Sequence, residues 1–142
     1  MELDALFWKP GWQMSPRDEF RERVEATLAQ LDGWVVDGNY RSRLGTRVLD
    51  AADLIVWLDL PLRVTLLRVV RRTVARIRTG DPLWGSTTET WRNAFFQRDP
   101  LWWFAVKAHF RWRRRLPPLL EPYPHLRLRS LRDVERFLAD VG

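Results

Sequence analysis

The sequence predicts an α/β fold built around a mainly parallel sheet. Two observations carry this expectation. The apolar runs Trp34-Val35-Val36 and Leu54-Ile55-Val56-Trp57-Leu58 are continuous rather than alternating, the pattern of strands covered by helices on both faces. Strand-like and helix-like patterns also take turns along the chain, which is how parallel sheets are connected.

Each element follows from its residues. Leu3 to Trp8 reads as the tail of a short strand, closed by Lys9-Pro10-Gly11. Ser15-Pro16-Arg17-Asp18 is a helix start, with serine as N-cap, proline in the first turn and an acid three residues after the cap. Phe20, Val24, Leu28 and Leu31 then repeat at helical spacing until Asp32-Gly33 ends the stripe. Strand Trp34–Val36, a short helix within Arg41–Ala52 and strand Leu54–Leu58 follow, the last ending in Asp59. Pro61 opens a long helix to about Arg78, with Val64, Leu67, Val70, Val74 and Ile77 as its apolar side. Beyond the breaker Thr79-Gly80-Asp81-Pro82, the pattern predicts a short helix over Thr87–Gln97. A strongly aromatic and basic helix is expected over Leu101–Leu116, stopped by Pro117-Pro118. Leu126-Arg127-Leu128-Arg129 reads as a strand, and Ser130 with Asp133 caps a last helix bearing Val134, Phe137, Leu138 and Val141. We read residues 1–142 as one domain, with 79–100 as a candidate lid because that stretch is loop-rich and leaves the core pattern.

Composition narrows the function. A chain of 142 residues, 46% hydrophobic, suffices for one core. It contains no cysteine, which excludes disulfides and thiolate chemistry and fits a reducing cytoplasm. His109 and His125 lack metal-ligand spacing, so zinc is not expected. No run of about 18 apolar residues occurs, and the acidic Met1-Glu2-Leu3-Asp4 lacks the basic region of a signal peptide. Net charge is +6, and every basic residue except Lys9 and Lys107 is arginine. Arginine is well shaped to fork onto phosphate oxygens, although GC-rich coding DNA produces the same bias. Nine tryptophans are many for this length; some must line clefts or interfaces.

Asp37-Gly38-Asn39-Tyr40-Arg41 is the most informative segment. A carboxylate just past a strand lies at the sheet edge where ligands bind, and there it can hold magnesium through water. Gly38 permits close approach of a backbone or a phosphate. The same residues also suit an ordinary Asp-Gly turn. Arg68, Arg72 and Arg76 form one helical stripe, able either to stabilise a transferring phosphoryl group or simply to face solvent. Leu101-Trp102-Trp103-Phe104 with Lys107, Arg111 and Arg113-Arg114-Arg115 interleaves aromatics and cations. That helix suits nucleic acid or an anionic membrane, or it packs its aromatics inward and solvates its arginines. A phosphate loop, Gly-x-x-x-x-Gly-Lys-Ser/Thr, does not occur. Gly33 to Gly38 encloses the strand and Gly80 to Gly85 is followed by Ser86 without lysine.

Taken in order, these pieces resemble the adenylate-kinase-like branch of P-loop nucleotide kinases, and most of all its bacterial DNA topology modulation protein-like members. The matching stretches are Glu2–Trp8 with Pro10-Gly11-Trp12, Trp34–Tyr40, Ala52–Asp59 with Pro61, and Trp91-Arg92-Asn93-Ala94-Phe95-Phe96. The resemblance implies a P-loop nucleotide-kinase-like three-layer fold and ATP- and Mg2+-dependent phosphoryl transfer to a small nucleoside or nucleotide. By position it places Asp4 at the end of the second family strand, with Trp8, Trp12, Asn39 and Tyr40 beside the acceptor. Asp37 would hold magnesium, and Arg41 would meet the acceptor phosphate. Arg68 and Arg72 would contact donor phosphates, and Arg92 and Arg98 would be lid arginines. Asn39-Tyr40 departs from the usual adenylate-kinase residues, so AMP is not implied.

The first family strand, its Walker A loop and the following helix have no counterpart here. That strand is central, between those read at 34–36 and 54–58. We therefore expect an internal methionine taken as the start, or a truncation, a chain inactive by itself, and a slot that invites self-association. The alternative from another class is a non-enzymatic nucleic-acid-binding module using helix 101–115.

Overall fold

The computed structural model describes residues 1–80, 90–96 and 100–142, the side chains of Trp12 and Asn93 apart. Most of the candidate lid, and both ends of the helix expected over 87–97, thus lie outside the described residues. Two compact units emerge, the first holding Met1–Ala51 and the second Ala52–Gly80 together with the described part of Glu89–Gly142. Among the described residues no helix is long and apolar enough to cross a membrane.

The first unit is helical with a small hairpin. Its elements are α1 (Leu3–Phe7), β1 (Trp8–Lys9), a 3₁₀ turn (Pro10–Trp12), β2 (Gln13–Met14), α2 (Arg17–Leu28), α3 (Arg41–Leu44) and α4 (Arg47–Ala51). Leu3 to Trp8 is therefore a helical turn and not the expected strand. Leu3 and Phe7, four residues apart, point the same way and are buried with Phe20, Val24 and Leu44. An extended backbone would hold the two about 13 Å apart, whereas one helical turn brings them together within one cluster. Gly11, at φ 73, turns the chain so that Trp8 faces Met14 in antiparallel register. Ser15 is buried, but its hydroxyl donates to the Leu6 carbonyl at 3.3 Å instead of capping α2, whose N-cap is Pro16.

Trp34–Val36 is the second correction: it forms no strand. The Leu3 N–H donates to the Asp37 carbonyl and the Asp37 N–H to the Met1 carbonyl, both at 2.9 Å. These bonds form a single parallel bridge, Glu2 to Asp37. Without a longer ladder the apolar run has no sheet to bury it, and Val35 is 82% exposed. Gly38 follows at φ 130, a region closed to side chains. A Cβ there would sit 2.9 Å from that of Leu3. The close approach that glycine permits is used by Leu3 of the same unit.

The second unit is mixed α/β around two parallel strands, β3 (Ile55–Leu58) and β4 (His125–Leu128), paired Val56 to Leu126 and Trp57 to Arg127. Its sheet is narrower than the mainly parallel three-layer sheet expected. Helix α5 (Leu62–Thr79) starts after Pro61 and ends on Gly80 at φ 69, as its sequence signals indicate. It packs on α6 (Leu101–Leu120). Pro117 and Pro118 lie inside α6 and do not stop it. Their φ suits a helix, they forfeit only two N–H bonds, and the fully buried Leu120 anchors the last turn. A π-helical turn, Arg92–Phe96, buries Ala94 against this pair. The last helix, α7 (Leu131–Val141), opens with the expected capping box of Ser130 and Asp133.

One ion cluster ties these pieces together. The Asp59 side chain, just past β3, is 1% exposed. Arg113 of α6 donates to it at 2.7 and 3.3 Å, and Arg127 of β4 at 2.9 Å through Nε. The Arg127 guanidinium lies 4.2 Å from the Trp57 ring centroid, so the cross-strand pair is also a cation–π contact. Burial by itself raises the Asp59 pKa; the hydrogen bonds and charges of the two arginines outweigh it and hold the carboxyl below its ordinary value. A lowered native pKa means that the cluster stabilises the fold above the ordinary carboxylate range. That stability is lost as pH falls through the native pKa.

Replacing both partners, Arg113→Met with Arg127→Met, leaves burial as the surviving influence. The Asp59 carboxyl, followed by NMR, should then titrate above the ordinary value, and stability at pH 7 should fall by about 3–5 kcal/mol. Gly38→Ala should destabilise the first unit by about 1–3 kcal/mol in denaturant unfolding, from φ strain and the Leu3 clash.

Candidate functional site

Three of the residues assigned to acceptor binding meet in the first unit. Asp4 lies within α1, and Trp8, its C-cap, follows one turn later on the same side. Asp4 is thus carried by a helix and does not end a strand. Tyr40, the residue before α3, packs its ring 4.7 Å from Phe7 and 5.1 Å from Phe20 between centroids. Its hydroxyl donates a short hydrogen bond to Asp4 Oδ1, while the Trp8 ring packs edge-on against Phe7, 4.9 Å between centroids.

Burial first, then the Asp4 hydrogen bond and charge, raise the Tyr40 pKa well above its ordinary value, and the nearby Trp8 indole opposes them only in part. The phenol therefore stays protonated as a donor, and Asp4 remains the acceptor. Among the described residues Asp4 Oδ2 carries no hydrogen bond, which leaves one carboxylate oxygen for a hydroxyl or amine. The aromatic group Phe7, Trp8, Phe20 and Tyr40 supplies a rigid wall behind it. Arg43 stands 5.5 Å from the Phe7 ring centroid, and its carbonyl accepts from Arg21 at 2.8 Å. This fixes the turn that carries Tyr40.

The other assigned residues are placed as follows. Asn39 and Arg41 flank Tyr40 in the chain and are exposed; Arg41 is the first residue of α3. Asp37 is exposed, its backbone tied to Met1 and Leu3. Among the described residues no three His, Cys, Asp or Glu side chains gather as a metal site. Magnesium keeps several waters and takes one or two carboxylates plus substrate phosphates, so Asp37 fits that ion only alongside nucleotide phosphates. Arg68 and Arg72 are exposed on α5, and Arg92 is exposed on the π-helical turn, all in the second unit. Arg98 and the Trp12 side chain lie outside the described residues.

Sequence reasoning missed the Asp59 cluster. Its one readable signal was an acid ending an apolar run; of that strand only Trp57 is buried, while Val56 and Leu58 are exposed, so the burial on both faces expected from the run is not found. Which arginines answer it depends on strand register and on the approach of α6.

No protein-family model, curated protein or solved structure matches the chain.

The phenol–carboxylate pair has an alkaline signature. Since the native Tyr40 pKa lies above the unfolded value of about 10, its stabilising contribution is complete below that pH and declines as pH rises past it. Ultraviolet titration of a Tyr123→Phe background should show Tyr40 ionising late. Asp4→Asn should bring that ionisation down, though not fully to the ordinary value, because burial persists.

Proposed function

We propose that this chain carries the acceptor side of an adenylate-kinase-like phosphotransferase, binding a small nucleoside or nucleotide as acceptor for the γ-phosphoryl of ATP. One observation carries the reading. Asp4 and Tyr40, distant in sequence and each assigned to the acceptor by resemblance, are hydrogen-bonded, and Trp8 and Tyr40 pack on the same Phe7 ring. A carboxylate oxygen beside an aromatic wall suits a ribose hydroxyl or a base amine. Arg41, exposed one residue on, suits a bidentate grip on phosphate. Magnesium would neutralise charge on the transferring phosphoryl group, with Asp37 the residue to hold it. Arg68 and Arg72 supply exposed guanidiniums of the kind that stabilise spreading phosphoryl charge.

These 142 residues contain no Gly-x-x-x-x-Gly-Lys-Ser/Thr loop, so the donor site lacks its usual phosphate cradle. We therefore expect acceptor binding without robust turnover from this chain alone. Calorimetric titration with nucleosides and their monophosphates should detect binding. Asp4→Asn should weaken it by about 10- to 100-fold, and Arg41→Gln should do so for phosphorylated ligands only. No binding up to millimolar ligand would sink the acceptor reading. Rapid magnesium-dependent ATP turnover would refute the expected inactivity.

A further inference from the structure

Helix α6 contains Lys107, Arg111, Arg113, Arg114 and Arg115 and no acidic residue across its whole length. Of these, Arg113 is held by Asp59. Solvent-facing helices ordinarily mix both signs of charge. Exposed rings are just as unusual, since large aromatics contribute most when buried. Yet Trp103 is 44% and Phe110 57% exposed.

The two anomalies coincide in space. Trp103, Lys107, Phe110 and Arg114 follow one another at the spacings that keep residues on one face of a helix. Arg111 and Arg115 border that stripe, and all six are exposed. The opposite side, including Ala105, Ala108, Trp112 and Leu116, is at least half-buried. Aromatic and cation therefore alternate along a single outward strip, with Trp103 and Phe110 about 10 Å apart along the axis.

We infer that this strip is a docking surface for single-stranded nucleic acid, its rings stacking on unpaired bases and its cations meeting the phosphates. Charge selects a polyanion, and the exposed rings select one that offers flat apolar faces. A helix lying on lipid separates an apolar sector from a charged one. Here guanidiniums sit inside the aromatic stripe, where insertion would drag them into the acyl region. Duplex DNA satisfies the cations alone, because its bases are already stacked. The inference is independent of the acceptor cluster, which shares no residue with it.

The test uses the 142-residue chain and fluorescein-labelled dT and rU 12-mers, with duplex DNA and phosphatidylserine-containing vesicles as comparators. Single strands should bind, with log K falling by about 0.7 per log unit of salt for each phosphate neutralised. Arg111→Gln with Arg114→Gln should flatten that slope by about 1.4. Phe110→Ala should weaken binding by about 5- to 100-fold with the slope unchanged. Phe110→Leu keeps apolar bulk and removes the ring, so weakening there reports stacking rather than altered packing. Absence of single-strand binding at about 50 mM salt overturns the inference. Equal binding to duplex with both Phe110 variants silent overturns it in favour of bare charge attraction. Vesicle binding that exceeds oligonucleotide binding overturns it in favour of a lipid surface.

Discussion

Asp59 gives up its hydration at the end of β3, and two guanidiniums from distant parts of the chain take the place of water. Arg127 arrives on the parallel partner strand and Arg113 on α6, so the strand pair and the helix layer are fastened at one carboxylate. A lone buried carboxylate would cost several kcal/mol; with both arginines in place its pKa falls. The arrangement is directional in a way that apolar packing is not. Slipping β4 by one residue would move Arg127 to the other face of the sheet and remove it from both Asp59 and the Trp57 ring. The cluster thus specifies register in a sheet of only two strands, where few ladder bonds can do so.

The first unit relies on a milder version of the same chemistry. Its core is aliphatic and aromatic, and at its border the Tyr40 phenol bonds the Asp4 carboxylate beside the Trp8 ring. Each group is held by packing on one side and presents a polar edge on the other. On the acceptor reading proposed above, such pre-organisation would spare the site the cost of ordering its own side chains on binding. The two features proposed to meet anions, the Arg41 turn and the α6 strip, draw on the same arginine-rich composition in different settings. One stands beside a carboxylate-lined aromatic wall; the other lies on a bare helix face.

How much of this was legible in the sequence depends on how local each determinant is. The Ser130–Asp133 capping box, the Pro61 start and Gly80 stop of α5, the α2 stripe of Phe20 and Val24, and the parallel-type run at 55–58 were all readable. Their causes lie within a few residues of each other. Leu3–Phe7 and Trp34–Val36 misled for a shared reason. Short apolar runs have no period of their own, and their conformation follows whatever surface is available to bury them. Pro117-Pro118 misled because a penalty of two lost hydrogen bonds was outweighed by burial of Leu120.

By itself, then, the sequence determined the longer helices, the ends of α5, the cap of α7 and the chemical inventory: an acid at the end of an apolar strand, an Asp-Gly-Asn-Tyr-Arg segment, and a helix of rings and cations with no acid. These follow from propensity, periodicity and composition, which act over one or two turns. Tertiary structure alone decided which groups meet. It joined Asp4 to Tyr40 and Asp59 to Arg113 and Arg127, gave Gly38 to Leu3, and turned Trp103 and Phe110 outward. Those pairings are set by register, burial and the direction in which one element crosses another, and no local pattern encodes them.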